Sequence, residues 1–595
     1  MATTASASAG ALAALVLTLP IAAHSACQIE TLELPVKMVG SRAVATVGIN
    51  GTPVPLTVDS GAFFSFLTEA AARQLNLQLR RVQGMRFEGI TGPIDARVTT
   101  VDKLQLFKGD IARVDFVVGG NEPGAGTMGL MGRNLLSFTD TEYDLANGFI
   151  RFSFPNDDCA KANLAYWAGA SHVTEIDLEP DYRSRSKTPA LRARVKLNGT
   201  ELIALLDTGA STVVTARAAR RAGVAEAQMT PSATIYGAGQ GSAKGWTAPF
   251  DRFEIGDEAI TQNRLQVGDF SLDNADLLLG IDFFLAHRIY VSKTQSKMFI
   301  TYNGGTVFAL NRSASIGAVP FAAEPAASDV QAASADQLAR RAAAFAARQD
   351  YEHALVELSR ALELEPTSAA YFAQRGAVLE ALNRPADAIE NFDKALELDP
   401  TQADARLRRA VLRLRAKNRD GAQSDLDALD RALASQANMR LAMSGLYLEL
   451  EQPAQSLAQL NQWLPAHPAE ARRHTALHGR CWARVVLGIE LDQALKDCND
   501  AIDADARNPA YLNSRGWVHL RMGQYQRALS DFDRALELRP GVAFALYGRG
   551  LAKSRLGDAA QGEADLAAAR NAQADIDLKV TRAGLMLARA PNSGS

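Results

Sequence analysis

Two patterns of apolar and polar residues divide the chain. Between residues 27 and 308, apolar residues come in short alternating or continuous runs separated by turns of Gly, Asn and Asp, which is typical of β-strands. Such runs occupy residues 43–49, 114–118, 191–197 and 298–302. From about residue 334 the pattern changes to helical segments with a 34-residue period. We therefore predict a β-rich half followed by a helical repeat array.

The first 25 residues are predicted to be a signal peptide rather than part of the fold. Residues 11–23 form one apolar run of 13, too short to span a bilayer, and small residues of a cleavage site follow it. No Lys or Arg precedes the run, so a buried helix is the alternative. A lipid anchor at Cys27 is disfavoured, because His24 stands where that signal needs an aliphatic residue. Since no later segment reaches about 18 consecutive apolar residues, we expect an exported protein, periplasmic or secreted, with no integral membrane segment after signal removal.

The β-rich half contains one segment twice. The sequence LTVDSGA at residues 56–62 recurs as ALLDTGA at residues 204–210, an offset of 148 residues. The landmarks that recur at this offset are Asp59 and Asp207, Gly89 and Gly237, and Gly132 and Gly280. Three landmarks with no net insertion between them indicate two duplicated lobes.

An apolar strand that ends in Asp-Ser/Thr-Gly carries a carboxyl group to a buried position. The glycine is expected to permit the tight turn that follows. If the lobes pack about a pseudo-twofold axis, Asp59 and Asp207 face each other, share one proton and separate in pKa. The ionised carboxyl can then take a proton from a water molecule while the protonated one polarises a peptide carbonyl.

These motifs resemble the aspartic peptidases, specifically the retropepsin-like type, with two copies joined in one chain as in the pepsins. The resemblance covers about residues 30–305, and each D-[ST]-G motif is followed by a hydrophobic-hydrophobic-Gly motif. It implies an all-β bilobal fold in which Asp59 and Asp207 hydrolyse peptide bonds, and in which the hydroxyls of Ser60 and Thr208 hydrogen-bond across the axis. The supporting residues it implies are Ser60, Gly61, Thr208, Gly209, Gly132 and Gly280, and the flap residues over the substrate are Gly89, Tyr236 and Gly237.

Two further features bear on the predicted site. Phe63 and Phe64 follow the first motif where the second has Ser211 and Thr212. We expect these phenylalanines to fill the core of the first lobe, with a place in a substrate pocket as the alternative. Alanine follows the glycine in both motifs, and it cannot supply a hydroxyl that would lower the pKa of a carboxyl. The pH optimum is therefore expected to lie nearer neutral than that of pepsin.

The helical half resembles the tetratricopeptide repeat family, with about seven units. Small residues open the second helix of each unit, at Ala354, Ala388, Ala422, Ser456, Ala494, Ala528 and Gly562. The period slips once, by four residues, between the fourth and fifth of these positions. A helix pair of this kind cannot bury its apolar face alone, so the units stack into a solenoid whose groove suits a peptide or a protein partner.

The four cysteines form two candidate disulfides. Cys27 and Cys159 bracket the first lobe and could join its first and last strands in an oxidising compartment, with two thiols as the alternative. Cys481 and Cys498 face each other in the fifth helical unit, where core packing is the first expectation and a disulfide is the alternative.

Composition excludes two classes of function. The formal net charge is −3, from 63 Lys and Arg against 66 Asp and Glu, so the chain lacks the basic surplus that nucleic-acid binding needs. The four Cys residues form no CxxC motif, and the eight His residues form no HExxH motif. We therefore expect no metal and no cofactor.

The predicted domains are a signal peptide at 1–25, protease lobes at 27–160 and 165–308, a linker at 309–333, a tetratricopeptide array at 334–575, and a capping helix and tail at 576–595. The predicted function is an exported aspartic endopeptidase that acts on a peptide or protein substrate, with the array docking the substrate or a protein partner. One alternative is a non-catalytic peptide-binding scaffold with degenerate lobes. The other is a protease that the array covers until the linker is cut.

Overall fold

The structure is a computed structural model that describes residues 27–81, 87–107, 109–121, 124, 126–180, 190–239, 241–308, 333–468 and 470–586. The predicted signal peptide, nearly all of the predicted linker and the last nine residues lie outside the described residues.

The first lobe is built on a seven-stranded sheet. Its elements are β1 (Ile29–Pro35), β2 (Lys37–Val39), β3 (Arg42–Ile49), β4 (Thr52–Val58), β5 (Phe66–Leu67), α1 (Glu69–Gln74), β6 (Phe87–Gly89), β7 (Gly92–Ile94), β8 (Ala96–Leu106), β9 (Gly109–Gly119), β10 (Gly129–Met131), α2 (Arg133–Leu136), β11 (Asp140–Asp144) and β12 (Phe149–Pro155). The strand order is β2-β3-β4-β10-β5-β9-β8, and an additional pairing of β3 with β8 curls the sheet around its core. Buried β-branched and leucine side chains such as Val47, Val54 and Leu56 fill that core, as the apolar runs predicted.

The second lobe repeats this topology. Its elements are β13 (Thr174–Asp177), β14 (Arg192–Leu197), β15 (Thr200–Leu206), β16 (Val213–Thr215), α3 (Ala216–Arg221), β17 (Thr230–Pro231), β18 (Ile235–Tyr236), β19 (Ser242–Ala243), β20 (Gly245–Ile255), β21 (Glu258–Gly268), β22 (Leu277–Leu279), α4 (Ile281–Ala286), β23 (His287–Ser292) and β24 (Lys297–Tyr302). Its seven-stranded order, β14-β15-β22-β16-β21-β20-β17, matches that of the first lobe strand for strand through the centre of the sheet.

A third, six-stranded sheet joins the two lobes. Its order is β1-β12-β11-β23-β24-β13, so each lobe supplies three strands. The carboxylate of the buried Glu142 lies at the junction and pairs with Arg151 of the first lobe (3.0 Å) and Arg288 of the second (2.6 Å). A disulfide between Cys27 and Cys159 closes the outer edge beside β1 and β12. Because the lobes share this sheet, their relative position is fixed by backbone hydrogen bonds as well as by side chains.

The helical half forms antiparallel helix pairs, as the 34-residue period predicted. The helices are α5 (Ala335–Ala347), α6 (Tyr351–Leu364), α7 (Ala369–Ala381), α8 (Pro385–Leu398), α9 (Ala403–Arg415), α10 (Arg419–Ala432), α11 (Met439–Glu449), α12 (Pro453–Ala466), α13 (Arg473–Leu487), α14 (Leu491–Ala504), α15 (Pro509–Arg521), α16 (Tyr525–Leu538), α17 (Ala543–Arg555), α18 (Ala559–Ala572) and α19 (Ile576–Arg582). They make seven pairs and a final short helix within the described residues.

Small residues allow the paired helices to approach each other. A Cβ added to Gly376 or to Gly516 would lie 2.7 Å from the ring of Phe392 or Phe532 on the partner helix. In the fifth pair, a disulfide between Cys481 of α13 and Cys498 of α14 joins the two helices covalently. The structure therefore has the disulfide that the sequence left as the alternative to simple packing.

Among the described residues, the array contacts the protease lobes near its start and again after α12. At its start, Arg348 directly after α5 donates to the carbonyl of Gly304 (2.7 Å), and Ala344 of α5 lies in the same apolar core as the lobes. Further along, Arg73 of α1 donates to the carbonyl of Pro465 at the end of α12 (3.0 Å). The second contact brings the loop after α12 beside the first lobe, close to the site described next.

Candidate functional site

Asp59 and Asp207 lie at equivalent places in the two lobes. Each follows a central strand, β4 or β15, that runs parallel to the strand of the hydrophobic-hydrophobic-Gly motif, β10 or β22. The amide of Asp59 donates to the carbonyl of Met131 (3.0 Å), and the amide of Asp207 donates to that of Leu279 (2.9 Å). The second motif therefore fixes the backbone at each aspartate, as the resemblance implied.

Ser60 and Thr208 hold the two aspartate loops together across the pseudo-twofold axis. The Ser60 hydroxyl donates to the carbonyl of Leu206 and accepts from the amide of Thr208, both at 3.0 Å. The Thr208 hydroxyl donates to the carbonyl of Val58 and accepts from the amide of Ser60, again both at 3.0 Å. These four reciprocal, fully buried hydrogen bonds set the distance between the lobes at the site.

Gly61 and Gly209 make room for the opposite aspartate. A Cβ on Gly61 would lie 2.6 Å from Oδ2 of Asp207, and a Cβ on Gly209 would lie 2.5 Å from Oδ2 of Asp59. Neither glycine has a positive φ. The structure has the predicted turn, in which the amide of Ala210 donates to the carbonyl of Asp207 (3.4 Å). It adds a second requirement for glycine, because the facing carboxyl group occupies the space of a side chain.

Gly132 and Gly280 brace the two loops from behind. A Cβ on Gly132 would lie 2.5 Å from the carbonyl carbon of Phe64, and one on Gly280 would overlap the carbonyl of Ala210. The amide that follows each glycine donates to the carbonyl of Ala62 (2.9 Å) or of Ala210 (2.7 Å). Only glycine allows this close backbone approach.

The loop after the first motif is one residue longer than its counterpart. The hydroxyl of Ser65 donates to Oδ1 of Asn134 (2.8 Å), and the hydroxyl of Thr212 donates to Oδ1 of Asp282 (2.6 Å). Ser65, and not Phe64, is therefore the counterpart of Thr212. The sequence comparison that placed Phe64 opposite Thr212 was wrong, because it assumed equal loop lengths.

The extra residue directs two aromatic side chains into a cavity between the lobes. The cavity has a volume of about 870 Å³, and Asp59, Asp207, Phe63 and Phe64 all line it. The side chain of Phe63 is 40% exposed, and its ring packs edge-on against Phe64 with centroids 4.5 Å apart. The expectation that both rings fill the lobe core was wrong, and the alternative of a pocket wall describes them, because the longer loop places both rings at the cavity.

The two carboxyl groups hydrogen-bond to each other and differ in acidity. Burial raises the pKa of Asp59, and hydrogen bonds from the amide of Ala62 (2.7 Å) and from Asp207 partly offset it. Burial together with the negative charge of Asp59 raises the pKa of Asp207 well above the usual range. Asp207 is therefore the group that keeps the shared proton, and Asp59 is the group that ionises first.

Arg42 is a residue of the site that sequence reasoning missed. It begins β3, its guanidinium donates to the carbonyl of Gly209, and its charge lowers the pKa of both Asp59 and Asp207. No motif marks it, since a single Arg at a strand start is ordinary in sequence.

Two hairpins cover the cavity and touch each other. The first is β6–β7 with Gly89, and the second is β18–β19 with Tyr236 and Gly237. The amide of Gly241 donates to the carbonyl of Thr91 (2.9 Å) between their tips. The predicted flap residues therefore lie over the predicted aspartates, and Gly89, Tyr236 and Gly237 line the cavity.

Asn121 and the turn before α13 complete the cavity, and sequence reasoning missed both. Asn121 follows β9 in the first lobe and hydrogen-bonds to the second flap. Its amide Nδ2 donates to the carbonyls of Gly237 (2.7 Å) and Gly239 (2.6 Å). Glu470, Ala471 and Arg472 of the helical array also line the cavity. The signal that could have found them is the single four-residue slip in the repeat period.

The described part of the chain offers little for metal binding or membrane insertion. Within it, no group of three or more His, Cys, Asp or Glu side chains is arranged to hold a metal ion. None of the helices in these same residues combines the length and apolar character needed to cross a bilayer.

Comparisons with known proteins agree with both halves of this description. The aspartyl protease family model matches residues 45–135 and 193–283, and tetratricopeptide repeat models match residues 369–402 and 509–541. No curated protein matches the chain.

Two solved structures are among those that match part of the chain. YrrB, described as a tetratricopeptide repeat protein with an unusual peptide-binding site, is 21% identical over 32% of this chain and 97% of its own, with a TM-score of 0.29. A tetratricopeptide repeat protein from Parabacteroides merdae is 17% identical over 42% of this chain and 98% of its own, with a TM-score of 0.31. On the family matches and the geometry above, the chain joins two retropepsin-like lobes of the aspartyl protease type to an array of tetratricopeptide repeats.

Proposed function

We propose that the protein is an aspartic endopeptidase that hydrolyses peptide bonds with Asp59, Asp207 and a water molecule. The observation that carries the proposal is the pair of carboxyl groups. They come from duplicated loops, hydrogen-bond to each other, and lie in a cavity of about 870 Å³ beneath two hairpins. An arrangement of this kind suits an extended peptide laid between the flaps and the carboxyls.

The difference in pKa assigns the two roles. Ionised Asp59 takes a proton from water, and the water oxygen forms a bond to the carbonyl carbon of the substrate. Protonated Asp207 gives its proton to the carbonyl oxygen, so no free oxyanion develops. In the second step Asp59 passes the proton that it took from water to the amide nitrogen, Asp207 takes a proton back from a hydroxyl of the tetrahedral intermediate, and the carbon–nitrogen bond breaks as the carbonyl re-forms. Both carboxyls then return to their starting protonation states. Proton transfer of this kind contributes about 10²–10⁴-fold to a rate.

The cavity walls favour apolar substrate side chains on one side of the scissile bond. Phe64 and Phe66 both approach Phe87 of the first flap, with ring centroids 6.1 Å and 6.4 Å away. Aromatic walls contribute affinity mainly by desolvation. The proposed substrate is therefore a polypeptide with a large apolar residue next to the cleavage site.

We also propose that the protein is exported and that its helical array binds a protein. Two disulfides join all four cysteines, which suits an oxidising compartment and supports export directed by residues 1–25. The tetratricopeptide array is proposed to bind a protein substrate or partner, because stacked helix pairs of this kind present a long concave surface.

The test is cleavage of a peptide library by the purified protein. Asp59→Asn and Asp207→Asn should each lower kcat/KM by at least about 10³-fold without changing the thermal unfolding midpoint by more than a few degrees. Asp110→Asn is the matched control, because it makes the same chemical change at an exposed ion pair of the first lobe and should leave cleavage intact. If the wild-type protein cleaves no member of the library, the protein is a peptide-binding scaffold and not a protease.

A further inference from the structure

The helical array reaches into the proposed active site. The amide of Ala471 donates to Oδ1 of Asn121 (2.8 Å), and the residues on either side of Ala471 line the same cavity as the two aspartates. This contact lies far along the chain from the one at α5, so the array touches the lobes both at its start and at the mouth of the cleft.

Asn121 uses both ends of its side-chain amide. Its oxygen accepts from Ala471 of the array, while its nitrogen donates to the carbonyls of Gly237 and Gly239 in the second flap. Its own backbone amide also donates to Ala238 (3.2 Å). A single side chain therefore links the array to the tip of the flap. The side-chain amide is planar, so the hydrogen bond that its oxygen accepts from Ala471 also orients its nitrogen toward the flap carbonyls.

The array departs from its own period at this point. Helices α8 and α9 are separated by four residues, whereas α12 and α13 are separated by six, and α13 has 15 residues where α9 has 13. These changes account for the four-residue slip. Insertions in a repeat array lie where one unit does something that the others do not, and here the enlarged unit is the one that meets the cleft.

We propose that the turn formed by residues 470–473, the cleft turn, is a positioning element of the active site: through Asn121 it holds the second flap over the substrate. The inference rests on the proposed function, since a flap position matters for catalysis only if the site is catalytic. It gives the array a second role, because cleavage of even a short peptide then depends on the array.

A proline substitution can remove the hydrogen bond without disturbing the turn. The amide of Arg473 donates to the carbonyl of Glu470 (2.9 Å), and Arg472 has φ −82° and ψ 6°, the values of the third residue of a type I turn. Ala471 is therefore the second residue of that turn, a position that proline favours. Ala471→Pro deletes only the N–H that reaches Asn121.

The array supplies a matched control. Residues 505–508 form an equivalent inter-repeat turn, in which the amide of Asn508 donates to Asp505 (3.3 Å). Ala506 in that turn stands where four other units carry Pro366, Pro400, Pro468 and Pro540, and it does not line the cavity. Ala506→Pro makes the same change at a turn away from the cleft.

The experiment compares both variants in the full-length protein on a short peptide substrate. Ala471→Pro should lower kcat/KM about fivefold, the worth of one hydrogen bond, mainly by raising KM, whereas a loss of folded protein would lower kcat alone. Hydrogen exchange of the flap amides between Ile235 and Ala243 should accelerate by a similar factor. Ala506→Pro should match the wild type in both measurements.

A second variant tests the link through Asn121 between Ala471 and the second flap. Asn121→Asp keeps an oxygen for the amide of Ala471 but turns a carboxylate toward two flap carbonyls, so it should lower kcat/KM at least about tenfold. Adding Ala471→Pro to Asn121→Asp should then cause no further loss, because both act on one link.

Three results would overturn the inference: unchanged kinetics and unchanged flap exchange in Ala471→Pro, a rise in its kcat/KM, which would make the turn an inhibitory cover, or full additivity with Asn121→Asp. Failure of the proposed function is separate, because flap exchange needs no hydrolysis. If the wild-type protein cleaves no peptide, the exchange measurement still decides whether the cleft turn holds the flap.

Discussion

The two lobes share the frame of the site and differ in the surfaces that face the cavity. The four hydrogen bonds of Ser60 and Thr208 across the axis are equal in length, and each D-[ST]-G glycine leaves room for the other lobe's carboxyl. Beyond this frame the equivalence ends. The first lobe lines the cavity with Phe63 and Phe64, whereas the second presents Ser211 in the corresponding loop.

The Asp-Ser/Thr-Gly segments are symmetric and the cavity walls are not, because these segments contact each other whereas the walls contact the proposed peptide substrate. Two carboxyls that share a proton need one mutual geometry, and a twofold arrangement of equivalent Asp-Ser/Thr-Gly segments provides it. A peptide has a direction and no twofold axis, so the two ends of the cleft contact different parts of it. The walls are therefore free to differ, and residues 470–472 of the array add to them. The predictions below test this division between a symmetric frame and asymmetric walls.

The largest expected effect concerns pH. The rate needs Asp59 ionised and Asp207 protonated, so it should rise with pH as Asp59 loses its proton and fall as Asp207 loses its own. Burial raises both pKa values, so both flanks of the bell-shaped pH profile should lie at a higher pH than the pKa of an exposed carboxyl would give. The rate should fall about tenfold per pH unit on each flank. A profile of kcat/KM from pH 3 to 8 measures this, and a maximum well below pH 4 would contradict it.

Arg42 provides a way to move the profile. Its charge lowers the pKa of both carboxyls, so Arg42→Gln should shift both flanks to higher pH. Arg42→Lys keeps the charge and should leave them close to those of the wild type. Equal profiles for Gln and Lys variants would show that the charge does not act on the pair.

The aromatic wall should affect substrate choice and not the chemistry. Phe63→Ala should lower kcat/KM about tenfold for peptides with a large apolar residue at the cleavage site and much less for those with a small one, because a hydrophobic pocket discriminates by lost contact area. The control is Phe154→Ala, which removes a ring of the same 40% exposure outside the cavity. A uniform loss across all peptides would mean that Phe63 supports the catalytic loop and not the substrate.

Much of the architecture could be predicted because its causes are local. Alternating apolar runs form strands wherever one face is buried, and a 34-residue period forms helix pairs wherever units stack. The duplicated Asp-Ser/Thr-Gly segments could be assigned to one site because a repeat at a fixed offset leads to a twofold packing.

The remaining features depend on contacts between distant segments. Phe64 was placed wrongly opposite Thr212, since only the hydrogen bonds of Ser65 to Asn134 reveal the longer loop. Arg42 and Asn121 carry no motif, because they act on backbone carbonyls that the fold brings to them. The contact of Ala471 joins residues 350 positions apart, and the pattern of neither segment encodes the other.

The smallest expected effect concerns the brace behind each aspartate loop. Asn134 in the first lobe and Asp282 in the second each accept hydrogen bonds from a loop amide and a loop hydroxyl through one oxygen. The two sites differ in charge, because burial raises the pKa of Asp282 despite the donors around it. Ionised Asp282 is therefore a cost to the folded state that the amide of Asn134 does not impose.

Exchanging the two residues tests this difference. An acid whose pKa is raised by folding stabilises the protein below its unfolded pKa, and that contribution is lost as pH rises through the folded pKa. Asp282→Asn should therefore gain stability over the wild type as the pH rises, by up to about 3 °C in unfolding midpoint. Asn134→Asp should lose stability over the same range. Thermal unfolding from pH 4 to 8 measures both, and parallel curves for all three proteins would show that the two braces are electrostatically equivalent.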